Sequence, residues 1–356
     1  MSARDIRQEE LSNKWIERDR FGIVNSAPRT GKTRIAILCM QKLNPSSVLI
    51  AYPDNKIKDS WLKDFDKFGY SGPEVTFSTY LSLYKYKDKE FDLVILDECH
   101  TLSSAQIETC RDLFEKNKQV LGLSGTISSR TERILREDLN LRVVAYYPIE
   151  RAIEEGILPD YEINIVQTPL DNISKIGKKG ETEKQLFRKY EYVANKLDDE
   201  GKSSFHMKLK MISILQTSIS KRLLTIHTIK RFSENRILTF CGRTEIADSL
   251  GTPSYHSKFR DKKNWDDFVE GRIPHLAVCR IGGTGVTFTP LNMAIINYFD
   301  SNSENLTQKI LRAMSLEYDN PDKKAIIYII SSTEKKELLW LSQALSMFNK
   351  DKIKYL

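Results

Sequence analysis

The stretch that decides the fold runs Gly22-Ile23-Val24-Asn25-Ser26-Ala27-Pro28-Arg29-Thr30-Gly31-Lys32-Thr33-Arg34-Ile35-Ala36-Ile37-Leu38. Its first four residues predict a buried strand, and the apolar run after Arg34 predicts a helix. A loop that leaves a strand and opens a helix directs several backbone N–H groups and the positive end of the helix dipole towards one point. The segment between strand and helix is therefore predicted to bind an anionic phosphate group.

Two side chains of this loop add to the prediction. Lys32 is placed to reach the β- and γ-phosphates of a nucleotide, and the Thr33 hydroxyl is placed to ligate Mg²⁺. The loop departs from the Gly-x-x-x-x-Gly-Lys-[Ser/Thr] pattern because Ser26 takes the place of the first glycine, and Arg29 adds a bulky side chain. The candidate phosphate-binding residues are Ser26, Ala27, Pro28, Arg29, Thr30, Gly31, Lys32 and Thr33.

A pair of acids follows a second apolar strand, 65 residues after Lys32. The strand Leu93-Val94-Ile95-Leu96 leads directly into Asp97 and Glu98. A carboxylate at the carboxyl end of a buried strand beside a phosphate loop suits a nucleotide-bound Mg²⁺, so Asp97 takes this role. Glu98 is then expected to orient and deprotonate an attacking water. The alternative is a solvated strand end that carries two acids.

Length, composition and charge set the frame for these motifs. The chain has 356 residues, 40% hydrophobic and 29% charged, and a formal net charge of +7. These values predict folded domains and exclude disordered, collagen-like and coiled-coil proteins. No apolar run approaches the ~20 residues that cross a bilayer, and no signal peptide is expected. The five widely spaced cysteines predict reduced interior residues, without a zinc site or disulfide frame.

Short apolar runs alternate with helical segments, which predicts an α/β fold with parallel sheets and crossover helices. One series of strands lies before residue 130, and a second begins at Arg236-Ile237-Leu238-Thr239-Phe240. We therefore expect two α/β units, at residues 1–158 and 159–356. A charged helical insertion is expected at about 170–232, with a mobile loop at residues 174–180.

The motifs together resemble those of superfamily 2 helicases and translocases. Asp97-Glu98-Cys99-His100 is similar to the Asp-Glu-x-His box of that family, and Ser124-Gly125-Thr126 resembles its third motif, which couples the ATP site to nucleic-acid binding. The resemblance implies two tandem RecA-like lobes with an ATP cleft between them. It implies coupling roles for His100, Ser124, Gly125 and Thr126.

Further resemblances assign nucleotide and nucleic-acid contacts. Gln8 resembles the glutamine that reads adenine in many members. The segment Val48-Leu49-Ile50-Ala51-Tyr52-Pro53, followed by Trp61, looks like motif Ia, and Phe77-Ser78-Thr79-Tyr80 looks like motif Ib. In the second unit, His256 lies in a motif IV-like segment, and residues 282–289 resemble motif V of Swi/Snf-type translocases. The resemblance implies nucleic-acid contacts by Pro53, Thr79, His256, Gly283, Thr284 and Thr287.

The segment 308–315 resembles motif VI, with two departures. Gln308 and Arg312 are four residues apart and share a helix face. Leu311 replaces the usual glycine, and Ser315 replaces the second of two arginines that stabilise charge on the transferring phosphate. Arg312 is then the one candidate arginine in the motif. Either another arginine, for example Arg280 or Arg243, takes the place of the one missing at Ser315, or hydrolysis is slower than in typical relatives.

The sequence thus predicts an ATP- and Mg²⁺-dependent DNA helicase or translocase. The lobe junction at residues 149–161 resembles that of compact phage helicases such as UvsW. This resemblance suggests a role in replication, recombination or repair in a cytoplasm. The expected partner is forked, branched or duplex DNA, and no membrane association is expected. Unwinding and duplex translocation are both open. The alternatives are an RNA helicase and an ATP-dependent, DNA-bound scaffold or loader with weak hydrolysis. A small-molecule kinase would not need the second unit.

Overall fold

The computed structural model describes residues 1–125, 127–258, 261–279, 291–301, 303–314 and 323–356; the side chains at positions 56, 303, 304, 312 and 313 also lie outside the description. The chain divides into two compact units between Leu158 and Pro159. Within the described ranges, no helix combines the length and the apolar composition that a membrane crossing requires.

The first unit is a parallel sheet with helices between its strands. Its helices are α1 (Ala3–Glu17), α2 (Lys32–Leu43), α3 (Lys56–Lys67), α4 (Ser104–Lys116), α5 (Ser129–Leu139) and α6 (Ile149–Glu154), with short 3-10 helices at Tyr80–Tyr86 and Cys99–Thr101. Its strands are β1 (Phe21–Ser26), β2 (Val48–Tyr52), β3 (Val75–Thr79), β4 (Leu93–Asp97), β5 (Val120–Ser124) and β6 (Val143–Tyr147). They lie in the order β3-β2-β4-β5-β1-β6.

This strand order brings the two motif-bearing strands close together. β5 lies between β1 and β4, with Asn25 opposite Ser124 and Leu123 opposite Asp97. All five residues of β4 are buried, as expected for a parallel strand covered by helices on both faces. The carboxyl ends of parallel strands share one edge of a sheet, so the loop after β1 and the acids after β4 meet there.

The second unit is also a parallel sheet. Its strands are β7 (Asp160–Thr168), β8 (Ile237–Cys241), β9 (Ser254–His256), β10 (His275–Cys279), β11 (Met293–Ile296), β12 (Lys324–Ser332) and β13 (Ile353–Tyr355). They lie in the order β13-β7-β12-β11-β8-β10-β9. Its helices are α7 (Glu183–Asp199), α8 (Phe205–Thr217), α9 (Ile219–Arg231), α10 (Thr244–Asp248), α11 (Lys263–Val269), α12 (Ser303–Ala313) and α13 (Lys335–Leu345), with a 3-10 helix at Lys350–Lys352.

The helices between β7 and β8 correspond to the expected insertion. The last of them, α9, belongs to the body of the unit, because Ile229 packs in one core cluster with Ile237 and Ile330. The segment expected to be a mobile loop forms a turn, in which Ile176 and Gly177 donate to the Glu181 carbonyl and Lys175 pairs with Thr182. The α/β class with two all-parallel sheets is confirmed.

Candidate nucleotide site and nucleic-acid contacts

The loop between β1 and α2 is held by its own hydroxyl groups. Thr30 Oγ1 donates to the carbonyl of Ala27 (2.6 Å) and lies 2.6 Å from Ser26 Oγ. Both hydroxyls are buried. Ser26 therefore bonds across the loop at the position where the usual pattern has a glycine. Arg29 adopts a left-handed conformation (φ +66°), which an ordinary side chain enters only at a cost.

Gly31 ends the loop and caps α2. Its φ of +92° lies in the region that favours glycine, and α2 has no side-chain cap at its N-terminus. The amide groups of the first turn of α2 are therefore not consumed by a capping side chain and suit an anionic ligand. The Gln8 amide nitrogen donates to the Thr30 carbonyl (2.8 Å) from a buried position on α1.

Replacement of Gly31 by alanine is expected to weaken ATP binding by at least about tenfold, because the strained loop rearranges and its amides no longer converge. A Cβ at this position would collide with the Gln8 amide. The dissociation constant for ATP can be measured by calorimetry. Gly69→Ala is the matched control: it has φ +59° in the same unit, with nothing within 4 Å of its Cβ. Equal ATP affinities for the two variants would contradict the prediction.

The two acids at the carboxyl end of β4 point to different partners. Asp97 closes the strand, and its Oδ2 accepts a hydrogen bond from the Trp61 indole (2.9 Å). Glu98 has a left-handed backbone conformation (φ +52°), and its Oε1 lies 3.3 Å from Lys32 Nζ. A left-handed conformation costs a non-glycine residue free energy, and such strained residues cluster at functional sites. The turn at Glu98 thus directs its carboxylate towards the phosphate loop.

Burial and neighbouring charges shift the pKa values of the two carboxyl groups in opposite directions. Burial, together with the nearby charge of Glu98, raises the pKa of Asp97 to about 6, although Lys32 and the Trp61 hydrogen bond oppose the rise. Burial also acts to raise the pKa of Glu98, but Lys32 and His100 outweigh it, and the pKa falls below its usual value. Glu98 is therefore held as an anion.

His100 and Ser124 join the strand ends of β4 and β5. His100 Nδ1 lies 3.0 Å from Ser124 Oγ and 3.5 Å from Glu98 Oε2. Burial lowers the pKa of His100 and favours its neutral form. Gly125 lies so close to the loop that a Cβ on it would be 2.8 Å from Lys32 Nζ. The described part of the third motif therefore lies against the loop between β1 and α2, whereas Thr126 lies outside the described residues.

The predicted nucleic-acid contacts in the first unit lie at the same sheet edge. Pro53 directly follows β2 and Thr79 ends β3, and the two strands pair with Tyr52 opposite Thr79. Both residues are half-buried and hence partly accessible. Their assignment to nucleic acid stays a prediction.

The predicted site residues of the second unit are less completely described. His256 is 3% exposed, with its Nε2 2.9 Å from Asp248 Oδ1, so contact with a nucleic-acid backbone would require this side chain to become accessible. Gln308 is half-buried on α12. Outside the described residues lie the Arg312 side chain and the positions Arg280, Gly283, Thr284, Thr287 and Ser315.

Two aromatic residues contribute contacts that the sequence analysis did not assign. Trp61 bonds the side chain of Asp97, and the Tyr80 hydroxyl donates to the backbone carbonyl of Asp97 (2.7 Å). Both lie in segments that resemble nucleic-acid motifs, which is why they carried no role at the nucleotide site. A buried indole or phenol needs a hydrogen-bond partner, and this need is the signal that points to such contacts.

The donor set fits a nucleotide with its magnesium ion. Among the described residues, no group of three or more His, Cys, Asp or Glu side chains could hold a metal by itself. Mg²⁺ in nucleotide enzymes commonly takes only one or two protein ligands and completes its shell with phosphates and water. Asp97 and Thr33 could provide these ligands, and Lys32 would supply the positive charge for the phosphates.

In sequence, the chain is similar to subunits of restriction enzymes. Residues 71–129 match the model of the family described as "Type III restriction enzyme, res subunit". An Escherichia coli protein described as "Type I restriction enzyme EcoAI endonuclease subunit" is 22% identical over 275 residues, which are 68% of this chain and 33% of that protein. The chain thus spans about a third of the length of this curated relative.

The similar solved structures cover both units of the chain. The Pyrococcus furiosus Hef helicase domain has a TM-score of 0.54 at 12% identity, over 96% of this chain and 99% of that chain. The Type ISP restriction-modification enzyme LlaBIII, which is ATP-dependent and bound to DNA, scores 0.62 at 14% identity, over 100% and 31%. S. cerevisiae Dbp5, bound to RNA and ADP BeF3, scores 0.52 at 11% identity, over 94% and 85%.

Proposed function

Because the chain has the tandem RecA-like fold of superfamily 2 helicases, we propose that it hydrolyses ATP to move along and remodel or unwind DNA. The observation that carries the proposal is the cluster of Lys32, Asp97 and Glu98 at the end of the phosphate loop, with Lys32 Nζ 3.3 Å from Glu98 Oε1. A cation, a buried carboxylate and an ionised carboxylate at one sheet edge are the groups that phosphoryl transfer to water requires.

Each of the three groups has a separate task. Lys32 and the first-turn amides of α2 bind the phosphates of ATP. Asp97 and Thr33 would hold magnesium, which when bound neutralises phosphate charge. Glu98 accepts the proton of the attacking water. Lys32 Nζ lies 3.3 Å from Glu98 Oε1, so a phosphate that attracts Lys32 would also free Glu98 to act as the base.

The nucleic acid is proposed to be DNA. In support, LlaBIII is bound to DNA in its structure, and the curated E. coli relative is a restriction enzyme subunit. Dbp5 is bound to RNA, so the same fold also serves RNA. The motif V resemblance that favours DNA lies outside the described residues. Phosphate contacts at Pro53 and Thr79 would be independent of base sequence and sensitive to salt.

The remaining parts of the proposal concern the second unit and the biological setting. We propose that Gln308 and Arg312 act on the γ-phosphate, with Arg243 or Arg280 as the substitute for the arginine missing at Ser315. The similarity to UvsW-type phage helicases and a role in replication, recombination or repair in the cytoplasm also remain predictions.

Movement on DNA can be tested with two substrates. One is a duplex that carries a third strand, which a translocase displaces without separating the duplex, and the other is a fork, which only a helicase opens. We expect ATP-dependent product from at least one of them and none from Lys32→Ala. Product from RNA substrates alone would overturn the DNA assignment. ATP-dependent DNA binding without any displacement would favour a scaffold or loader and contradict the proposed motor.

A further inference from the structure

The indole of Trp61, on the helix after β2, contacts the candidate nucleotide site at Asp97. β2 lies beside β4, so the helix that follows β2, α3, brings Trp61 to the end of β4. The side chain is 0% exposed, and its Nε1 donates to Asp97 Oδ2 at 2.9 Å. Phe65, one helical turn further along α3, packs edge-on against the indole with ring centroids 5.7 Å apart. The direction of the N–H bond is thereby fixed.

This hydrogen bond restricts the carboxylate of Asp97. If the carboxylate rotated away, the buried indole N–H would lose its acceptor, which is unfavourable. The backbone of the same residue is held independently, because the Tyr80 hydroxyl donates to the Asp97 carbonyl at 2.7 Å. Asp97 is thus fixed at two points by aromatic residues from two neighbouring segments. The other carboxylate oxygen, Oδ1, takes no part in the hydrogen bond with Trp61.

We propose that Trp61 is a positioning residue of the magnesium site, which orients Asp97 so that the carboxylate is ready to receive the metal of the bound nucleotide. The inference rests on the proposed function, since it requires a magnesium nucleotide at this site. Trp61 acts only through Asp97 and touches neither substrate nor metal. Orientation in advance of binding removes an entropic cost that the metal would otherwise meet.

Trp61→Phe removes the N–H group and keeps an aromatic ring in the core. The readout is the dissociation constant of a fluorescent, non-hydrolysable ATP analogue, measured with and without Mg²⁺. The affinity without Mg²⁺ is expected to stay within about twofold of wild type, and the gain in affinity that Mg²⁺ provides is expected to fall about tenfold, in line with the loss of one charge-assisted hydrogen bond.

The matched control is Trp15→Phe. Trp15 is also 0% exposed in the first unit, and its Nε1 donates to a backbone carbonyl, that of Val120, at 3.2 Å. This variant loses a buried indole hydrogen bond without contact to Asp97, so its magnesium-dependent gain is expected to match wild type. An equal loss in both variants would mean a general packing defect and would overturn the proposal.

Two further measurements keep the test decisive. If Trp61→Phe does not fold, 3-benzothienylalanine at position 61 replaces the N–H by sulfur with nearly the same ring shape. In the Asp97→Asn background, Trp61→Phe is expected to cause no further loss of the magnesium-dependent gain; an additive loss would overturn the proposal. A wild-type magnesium gain retained by Trp61→Phe would overturn the inference alone. Failure of the wild-type protein to bind the analogue would overturn the proposed function as well.

Discussion

Glu98→Gln is expected to reduce ATP turnover by about 10²–10⁴-fold, the usual contribution of a positioned general base. Glutamine keeps the size of the side chain but cannot accept the proton of the attacking water. Its amide oxygen can still accept from Lys32, whose amine lies 3.3 Å from Glu98 Oε1 in the wild type. ATP binding is therefore expected to survive, so the loss appears in kcat. Single-turnover hydrolysis and equilibrium binding measure the two effects separately.

Glu108→Gln provides the control for this loss. Glu108 is exposed on α4 of the same unit, so its neutralisation changes the net charge equally without touching the phosphate loop. Its turnover is expected to equal wild type. If Glu98→Gln hydrolysed ATP at the wild-type rate, another residue would have to serve as the base.

Glu337→Ala is expected to destabilise the second unit by about 3–5 kcal/mol, because it leaves a buried charge without its partner. Glu337 on α13 and Lys221 on α9 form an ion pair of 2.6 Å, with side chains 0% and 1% exposed. The second carboxylate oxygen accepts from the Ser332 backbone N–H at 2.8 Å. Alanine therefore removes two interactions, and equilibrium denaturation by urea measures the loss.

A neutral replacement of the pair separates charge burial from general packing. In the double variant Lys221→Met with Glu337→Gln, the amide oxygen can still accept from Ser332, and no charge is buried. We expect this variant to be more stable than Glu337→Ala by at least about 2 kcal/mol. Replacing a buried ion pair by neutral side chains of similar size often leaves the free energy of unfolding unchanged or raises it. A loss below about 1 kcal/mol in Glu337→Ala would show that Lys221 finds water or another acceptor.

The arrangement of the candidate nucleotide site in the first unit could be predicted largely because its parts are local in sequence. The phosphate loop follows its strand directly, and the acids follow theirs, so parallel pairing alone brings them to one edge of the sheet. The structure places Lys32 beside Glu98, and His100 beside Ser124. Their chemical roles stay predictions.

The contacts of Gln8 and Trp61 could not be derived in the same way. The assignment of Gln8 to adenine stays a prediction, and the structure adds a hydrogen bond from its amide nitrogen to the Thr30 carbonyl. Trp61 reaches Asp97 only because β2 lies beside β4 in the sheet. This strand order could not be predicted from the sequence. Contacts between segments that are distant in sequence depend on this order and on side-chain direction.

The second unit was harder to predict for two reasons. The strands β9 and β13 have only three residues each, too few for a periodic pattern. The alternation along β7 was not identified as a strand, although its buried residues Tyr161, Ile163 and Ile165 follow the expected period of two. The insertion expected at about 170–232 includes α9, which contributes Ile229 to the core.

The central claim is that nucleic acid drives ATP turnover by this chain, and the most direct measurement is the steady-state hydrolysis rate of the wild-type protein. It is to be measured without nucleic acid, with single-stranded, duplex and forked DNA, and with RNA, at a fixed low salt concentration. The proposed function predicts a low basal rate and strong stimulation by at least one DNA. A rate that no nucleic acid changes would contradict it.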